Sequence, residues 1–232
     1  VARVKQAGCL VLHQVGTLEA ARLAEGAGAD VIIAQGIEAG GHVHGRTPAF
    51  ALAREILDRT ELPVVVSGGI ATGVGLAAAL ESKASGVQCG TAFLATEESF
   101  AHQYHKSRVV SATDEDTVLT DVFVLNWPAG AAVRVISNSV TDGLEGRFIG
   151  HDPENLQREV IAWDGNHPRL RFSTDSPLRT TSGDLEPMAL YAGRGVGDIL
   201  DIPSAAVRLT EMVTNAAHLL ESSYRSNCEA VS

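Results

Sequence analysis

The strongest constraint on the fold is a strand–helix pattern that repeats four times between residues 8 and 110. Each unit opens with a short apolar run that reads as a strand, and a helix-like segment follows it. Strands that alternate with helices form a parallel sheet, which we expect helices to cover on both faces. The chain is therefore predicted to be an α/β protein. The four strand segments are residues 9–15, 31–34, 62–67 and 86–89.

Local signals mark where the helices of these units begin. Thr17 is a predicted N-cap, and Glu19 places an acid in the first turn of a helix over residues 18–26. Thr47 and Pro48 read as an N-cap followed by proline at the first helical position. That pair predicts a helix over residues 48–59, and the third helix is expected over residues 73–83.

Past about residue 111 the repeating pattern stops. Residues 113–172 are predicted to be irregular, with one helix near residues 153–162, and residues 173–187 to form a polar loop. From residue 203 to about 222 helical periodicity returns, which predicts a long helix packed on the sheet. One face of that helix carries the apolar side chains Leu209, Met212, Val213, Ala216, Leu219 and Leu220.

Composition narrows the classes of partner. The chain has 232 residues and a net charge of −10, which argues against nucleic acid or an anionic membrane as a partner. Three cysteines without metal-binding spacing predict a reducing compartment, and the absence of a signal sequence or a long apolar run points to the cytoplasm. Homo-oligomerisation stays open.

A glycine-rich turn after the second strand is the first candidate site. Residues 35–42, QGIEAGGH, follow the apolar run at residues 31–34 and bring His42 to the strand end. Active sites of α/β proteins lie at the C-terminal edge of a parallel sheet, and imidazole is suited to proton abstraction near neutral pH. We interpret His42 as a candidate base. The alternatives are a structural or solvated histidine, or a metal site with His44, which lacks a third ligand.

Glycine-containing turns also follow the third and fourth strands. Gly68 and Gly69 come after residues 62–67, and Gly90 and Thr91 follow Gln88-Cys89. Backbone N–H groups at such turns bind anions, so consecutive turns favour a cofactor phosphate over glycines that serve only tight turns. Cys89 has no paired base in the sequence and is interpreted as a small buried filler rather than a nucleophile.

Three segments resemble the FMN-binding core of nitronate monooxygenases, formerly called 2-nitropropane dioxygenases. A fourth resembles a motif near that family's C-terminus. The resemblance implies a TIM (β/α)8-barrel, of which this chain holds the second half, about four βα units, plus a C-terminal extension and helix. Four further βα units would precede residue 8. The segments are AQGIEAGGH at 34–42, VSGGIA at 66–71, VQCGTAFL at 87–94 and LYAGRGVG at 190–197.

The resemblance also implies three regions and a set of roles. Residues 1–110 would be the barrel half that binds FMN, 111–202 an irregular extension near the active-site mouth, and 203–232 the C-terminal helix and tail packing on the barrel. His42 would deprotonate a nitroalkane or position a nitronate, and oxidation with O2 would yield a carbonyl compound and nitrite. Arg194 stands where the family commonly has Gln. FMN would be held by Gln35, Gly40, Gly68, Gly69, Gln88, Cys89, Gly90 and Thr91.

Two other functions remain open from the sequence. An FMN-dependent enoyl-ACP reductase shares the barrel and the EAGGH-type motif but takes hydride from NAD(P)H. An inactive barrel fragment would bind no flavin.

Overall fold

The structure is a computed structural model that describes residues 1–128, 131–143, 154 and 156–229. The chain divides into two compact units. The first unit comprises Val1–Ile37, His44–Cys89 and Ala205–Ser232, and the second comprises Glu38–Val43 and Gly90–Ser204. Among the described residues, no helix is both long enough and apolar enough to cross a bilayer.

Strands and helices of the described residues are numbered here in chain order. The strands are β1 (Leu12–Val15), β2 (Val31–Gln35), β3 (Gly41–His42), β4 (Val64–Ser67), β5 (Gly86–Gln88), β6 (Thr117–Thr120), β7 (Val133–Ile136), β8 (Val160–Asp164), β9 (His167–Leu170) and β10 (Thr181–Gly183). The helices are α1 (Ala2–Gln6), α2 (Leu18–Gly26), α3 (Ala49–Leu57), α4 (Gly73–Glu81), α5 (Thr91–Leu94), α6 (Gln103–Ser111) and α7 (Ala205–Glu229). Two 3-10 turns, Asp114–Asp116 and Arg194–Asp198, complete the set.

The first unit is built on a parallel sheet whose strands lie in the order in which they occur along the chain. That order is β1-β2-β4-β5, with every neighbouring pair parallel. Each new strand joins the same growing edge, whereas a doubly wound sheet reverses its strand order partway. Of the two architectures left open by the sequence, this order is that of a barrel wall.

A hydrogen bond between the first and last strands shows that this sheet is curved. Gln88 Nε2 at the end of β5 donates to Gln14 Oε1 of β1 at 3.2 Å. Four strands in a flat sheet would place β1 and β5 about 14 Å apart, beyond easy reach of two glutamine side chains. The amides therefore meet across a concave face, as the inside of a barrel requires.

Helices α2, α3 and α4 pack on one face of the sheet, so the prediction that helices cover both faces is wrong. Right-handed crossovers that all step in one direction bring every helix to the same side. The apolar cluster that results includes Val15, Ala21, Ala24, Ala29, Ile32, Ala34, Ala49, Leu52, Ala53, Ile56, Val64, Val66, Ile70, Ala79 and Ala84.

The predicted helix starts agree with the structure to within one residue. Thr17 is the N-cap of α2, and its Oγ1 accepts from Ala20 N at 3.1 Å, which confirms the predicted cap. Helix α3 begins at Ala49 with Pro48 as its N-cap, one residue later than predicted. Helix α4 begins at Gly73 as predicted.

The long C-terminal helix is present, but its buried face is narrower than predicted. Helix α7 packs against α4, where a Cβ on Gly73 would lie 2.5 Å from the Met212 carbonyl oxygen. Met212 and Ala216 are buried, whereas Leu209 is 53% exposed. Contact with one helix covers a thinner stripe than contact with a sheet would. Val213 and Leu219 are likewise exposed.

The second unit contains two small antiparallel sheets, β3-β7-β6 and β10-β8-β9. The described part of residues 113–172 therefore includes four strands where irregular structure was expected. The helix predicted near residues 153–162 is wrong from Val160 onward, where β8 begins, and residues 153 and 155 lie outside the described residues. Strands of four or five residues show too few alternations for sequence periodicity to reveal them.

Candidate functional site

In the first unit, the strand register brings three predicted site segments to one sheet edge. Gln35 lies beside Ser67, and Ser67 lies beside Gln88, at the ends of β2, β4 and β5. Gly68 and Gly69 follow β4 directly with φ of 112° and 72°, a conformation that favours glycine. The edge therefore presents two amide side chains around a glycine turn, as the sequence predicts.

The Gln35 side chain organises the start of the glycine-rich loop. Gln35 is buried, and its Oε1 accepts from His44 N at 3.0 Å. Gly36 N donates to Ser67 O at 2.9 Å, which ties the same loop to the neighbouring strand. Both bonds fix the loop at its two ends within this unit.

Cys89 follows β5 and packs against the apolar core of the first unit. Burial raises the pKa of its thiol to about 11, so the sulfur carries its proton at neutral pH. A protonated thiol is a poor nucleophile. This supports the interpretation of Cys89 as a filler.

In the second unit, the turn that carries His42 is held between two other segments. Strand β3 pairs with β7, with Gly41 opposite Arg134 and His42 opposite Val133. Gly40 lies so close to Gly193 that an added Cβ would approach Gly193 N to 2.5 Å. The absence of a side chain at Gly40 is thus required by protein packing.

The His42 ring lies against two aromatic side chains. Its centroid is 4.1 Å from that of Trp127, with a tilt of 40°, and 6.2 Å from that of Tyr191, with a tilt of 47°. His42 itself is half-buried. Trp127 was not found by sequence reasoning, because it lies in a stretch predicted to be irregular and carries no motif. Tyr191 lies in the last motif quoted above, without an assigned role.

Tyr191 is anchored by hydrogen bonds at both its side chain and its backbone. Its hydroxyl donates to Thr174 O at 2.5 Å, and burial raises its pKa above the usual value. Its carbonyl oxygen lies 3.0 Å from His105 Nε2. The Tyr191 hydroxyl is therefore committed to the protein backbone.

His105 is a second, deeply buried histidine next to this aromatic group. A carbonyl oxygen can only accept, so Nε2 carries the hydrogen toward Tyr191 O, and Nδ1, 3.2 Å from Ser176 Oγ, accepts from that hydroxyl. Burial lowers the pKa of His105 to about 4, which keeps the ring neutral at pH 7. No sequence motif marked this residue.

Arg134 places a buried charge on the strand that supports the His42 turn. It is 2% exposed, and its Nη1 donates to Thr117 Oγ1 at 3.3 Å. Burial, together with the nearby Arg194, lowers its pKa to about 10, while Glu38 opposes that shift. Arg134 thus remains a cation at neutral pH.

Gly90 and Thr91 open the short helix α5, where the sequence placed the next helix only near Thr96. Thr91 Oγ1 accepts from Gly193 N at 2.9 Å, so Gly193 contacts both Thr91 and Gly40. At Gly90 an added Cβ would meet nothing within 4 Å, and its φ of −98° suits any residue. Neither packing nor backbone strain among the described residues requires glycine there.

The chemistry available at these sites is that of an imidazole, amides and backbone donors. Within the described ranges, no cluster of three or more His, Cys, Asp or Glu side chains is arranged to hold a metal ion.

Comparisons with known proteins agree on one family. The family profile described as Nitronate monooxygenase matches residues 1–215. A probable nitronate monooxygenase of Bacillus subtilis (strain 168) is 39% identical over 220 residues, covering 91% of this chain and 59% of the relative. Nitronate monooxygenase of Paraburkholderia phytofirmans is 36% identical over 175 residues, covering 71% of this chain and 44% of the relative.

Solved structures show the same fold. FabK from Thermotoga maritima has a TM-score of 0.76 at 27% identity, covering 97% of this chain and 67% of that one. Nitroalkane oxidase from Streptomyces ansochromogenes has a TM-score of 0.75 at 30% identity, covering 96% and 62%. These similarities confirm the predicted TIM-barrel fold class.

The chain spans little more than half the length of several of the curated relatives it matches. The family profile nevertheless covers almost the whole of it. This chain belongs to the nitronate monooxygenase family.

Proposed function

We propose that the protein is an FMN-dependent nitronate monooxygenase that oxidises alkyl nitronates or nitroalkanes with O2 to a carbonyl compound and nitrite. The observation that carries the proposal is the placement of His42. Its imidazole is half-buried, fixed by strand pairing to β7 and packed on Trp127. Such a group combines access to a small substrate with a restricted orientation, which a general base requires.

His42 would remove the proton on the carbon that bears the nitro group. Tyr191 lies beside it, but its hydroxyl already donates to Thr174 O, so it leaves proton transfer to the imidazole. The two aromatic rings present an apolar surface suited to the alkyl part of the substrate. The same position would orient a preformed nitronate without any proton transfer.

The residues present suit a flavin phosphate and ring. In the first unit, the Gly68-Gly69 turn brings backbone close to a ligand, and Gln35 and Gln88 supply amide groups at the same sheet edge. In the second unit, Gly90 leaves open space that the described protein does not use, and the Thr91 hydroxyl adds a donor. Gly40 and Cys89 would contribute through their backbone. FMN, when bound, would supply the electron transfer between the nitronate and O2.

The flavin assignment is tested by filling the space at Gly90. Gly90→Val should lower FMN affinity by at least about tenfold, a loss of about 1.4 kcal/mol, because the new side chain would occupy the position of the ligand. The measurement is fluorescence titration of the protein with FMN. Gly26→Val is the matched control, since a Cβ at Gly26 also meets nothing within 4 Å. Equal affinity in both variants would remove Gly90 from the site.

The role of His42 is tested by comparing two substrates. His42→Ala should reduce kcat/KM for a neutral nitroalkane by about 100-fold or more, because base catalysis contributes on that scale. Preformed nitronate has already lost the proton and should retain much more activity. Equal losses on both substrates would show that His42 does not act as a base.

The same preparation separates the alternatives left open by the sequence. Rapid NAD(P)H oxidation with an enoyl thioester, and none with nitronate, would indicate an enoyl-ACP reductase instead. A protein that retains no flavin at saturating FMN would indicate an inactive fragment.

A further inference from the structure

A cavity of about 500 Å³ in the second unit has no part in the proposed chemistry. It lies where the loop after α5 meets the start of α6. Two cations and one amide line it, together with a carboxylate residue and two apolar residues. The lining residues are Glu97, Ala101, Gln103, Lys106, Arg179 and Ile202.

Lys106 is the buried cation of this cavity. It is 3% exposed, and its Nζ donates to Thr96 O at 2.6 Å and to Glu97 O at 3.3 Å. An ammonium group has three N–H donors, so two carbonyl oxygens leave one donor over. No carboxylate lies within ion-pair distance of Lys106 in the part of the chain that the structure describes. A buried charge without a counter-ion is costly, and an anion would relieve that cost.

Arg179 supplies the second cation and is held rigidly at the rim. Its Nη2 donates to Glu97 O at 3.0 Å and Ser99 O at 2.9 Å, and its guanidinium lies 5.6 Å from the Phe100 ring centroid. The Nε and Nη1 donors have no acceptor within the described residues, which leaves the fork available to an oxyanion. Because the chain already fixes this side chain, binding would lose little conformational freedom.

The two cations act on one another electrostatically. The charge of Arg179 adds to burial in lowering the pKa of Lys106, and the Glu97 and Glu98 carboxylates oppose the shift only as smaller effects. Both glutamates are exposed. The cavity therefore concentrates positive charge at its base and rim.

We propose that this cavity binds a small anionic ligand, with a carboxylate or phosphate group seated between Lys106 and Arg179. Gln103, at the start of α6, adds an amide donor on the same wall. This assignment is independent of the nitronate chemistry, because binding is measured without turnover.

The test is isothermal titration calorimetry with inorganic phosphate and with malonate, at constant ionic strength maintained with chloride. Saturable binding of at least one anion is expected. Arg179→Gln should weaken it about fivefold or more, the effect of one charge-assisted hydrogen bond. Tighter binding of phosphate would identify a phosphorylated ligand, and tighter binding of malonate a carboxylate ligand.

Arg59→Gln is the matched control, since Arg59 is also exposed and donates to a backbone carbonyl, that of Glu55. It should leave anion affinity unchanged. Lys106→Met removes the buried charge while keeping the aliphatic stem and should abolish binding. Should that variant fail to fold, Arg179→Gln still decides the matter. No saturable binding of either anion, or equal weakening by Arg59→Gln, would overturn the proposal and leave Lys106 as a cap of backbone carbonyls.

Discussion

Individual glycines in the motif have different physical explanations, although they look alike in the sequence. Gly40 is required because Gly193 packs directly against it, and Gly41 has a φ of 74° that favours glycine. Gly90 has neither constraint within the described residues. Sequence reasoning assigned Gly40 and Gly90 to cofactor binding together, because proximity of distant backbone cannot be read from a motif.

At the same scale, His105 should make the protein sensitive to acid. Its pKa is about 4 when folded, against an ordinary value of 6.5, so the unfolded chain binds more protons between those pH values. The stability that the neutral ring contributes is therefore present above pH 6.5 and lost as pH falls toward 4. Between pH 7.5 and 5 this loss is about 2 kcal/mol. His105→Gln, which keeps a donor toward Tyr191 O, should remove that part of the pH dependence.

Urea unfolding of both proteins at the two pH values measures the difference. His218→Gln serves as the control, because His218 is exposed on α7 and should leave the pH dependence as it is. An unchanged acid sensitivity in His105→Gln would contradict the burial of a neutral ring.

At the scale of elements, the strand–helix units were predictable and the second unit largely was not. Strands β2 and β4 are apolar, β-branched runs, each with a helix-start signal downstream. Strand β3 has two residues, and its partner β7 lies about 90 residues later in the chain. Pairing of that kind depends on distant backbone, which local patterns do not report. His42 was located correctly because it ends a predictable strand, and Trp127 was missed because its proximity arises only from this long-range pairing.

The two threonine N-caps of the first unit provide a comparison between elements. Thr17 accepts a hydrogen bond from Ala20 N, whereas Thr72 occupies the same position in α4 without a side-chain cap bond. Thr17→Ala should lower the free energy of unfolding by about 1 kcal/mol, and Thr72→Ala by much less. Chemical denaturation of the two variants measures both values. Equal losses would show that the cap hydrogen bond is not the source of the difference.

At the scale of the whole molecule, the first strand of the parallel sheet leaves an edge available for pairing. Strand β1 pairs with β2 alone among the described strands. Leu10 is 74% exposed and Leu12 is 57% exposed on the same segment. An unpaired apolar edge favours self-association, and a charged side chain on it opposes association. The oligomeric state left open by the sequence therefore has a specific surface to test.

Leu12→Lys should reduce self-association of the chain at high concentration. Sedimentation velocity over a concentration series should show a smaller rise in average sedimentation coefficient for the variant than for the parent. Leu200→Lys is the control, because Leu200 is 78% exposed but lies outside any strand. Equal effects of the two substitutions would argue against edge pairing.

The pairing of β3 with β7 has a consequence for the order of events during synthesis. His42 leaves the ribosome about 90 residues before Val133, the residue that holds it in register. At about 5–20 residues per second, the histidine waits for several seconds before its partner strand is available. The parallel strands β1, β2, β4 and β5 all emerge within that interval. The candidate base is thus among the earliest groups to be synthesised and among the last to be positioned, so a nascent chain interrupted before β7 would carry the motif without the geometry.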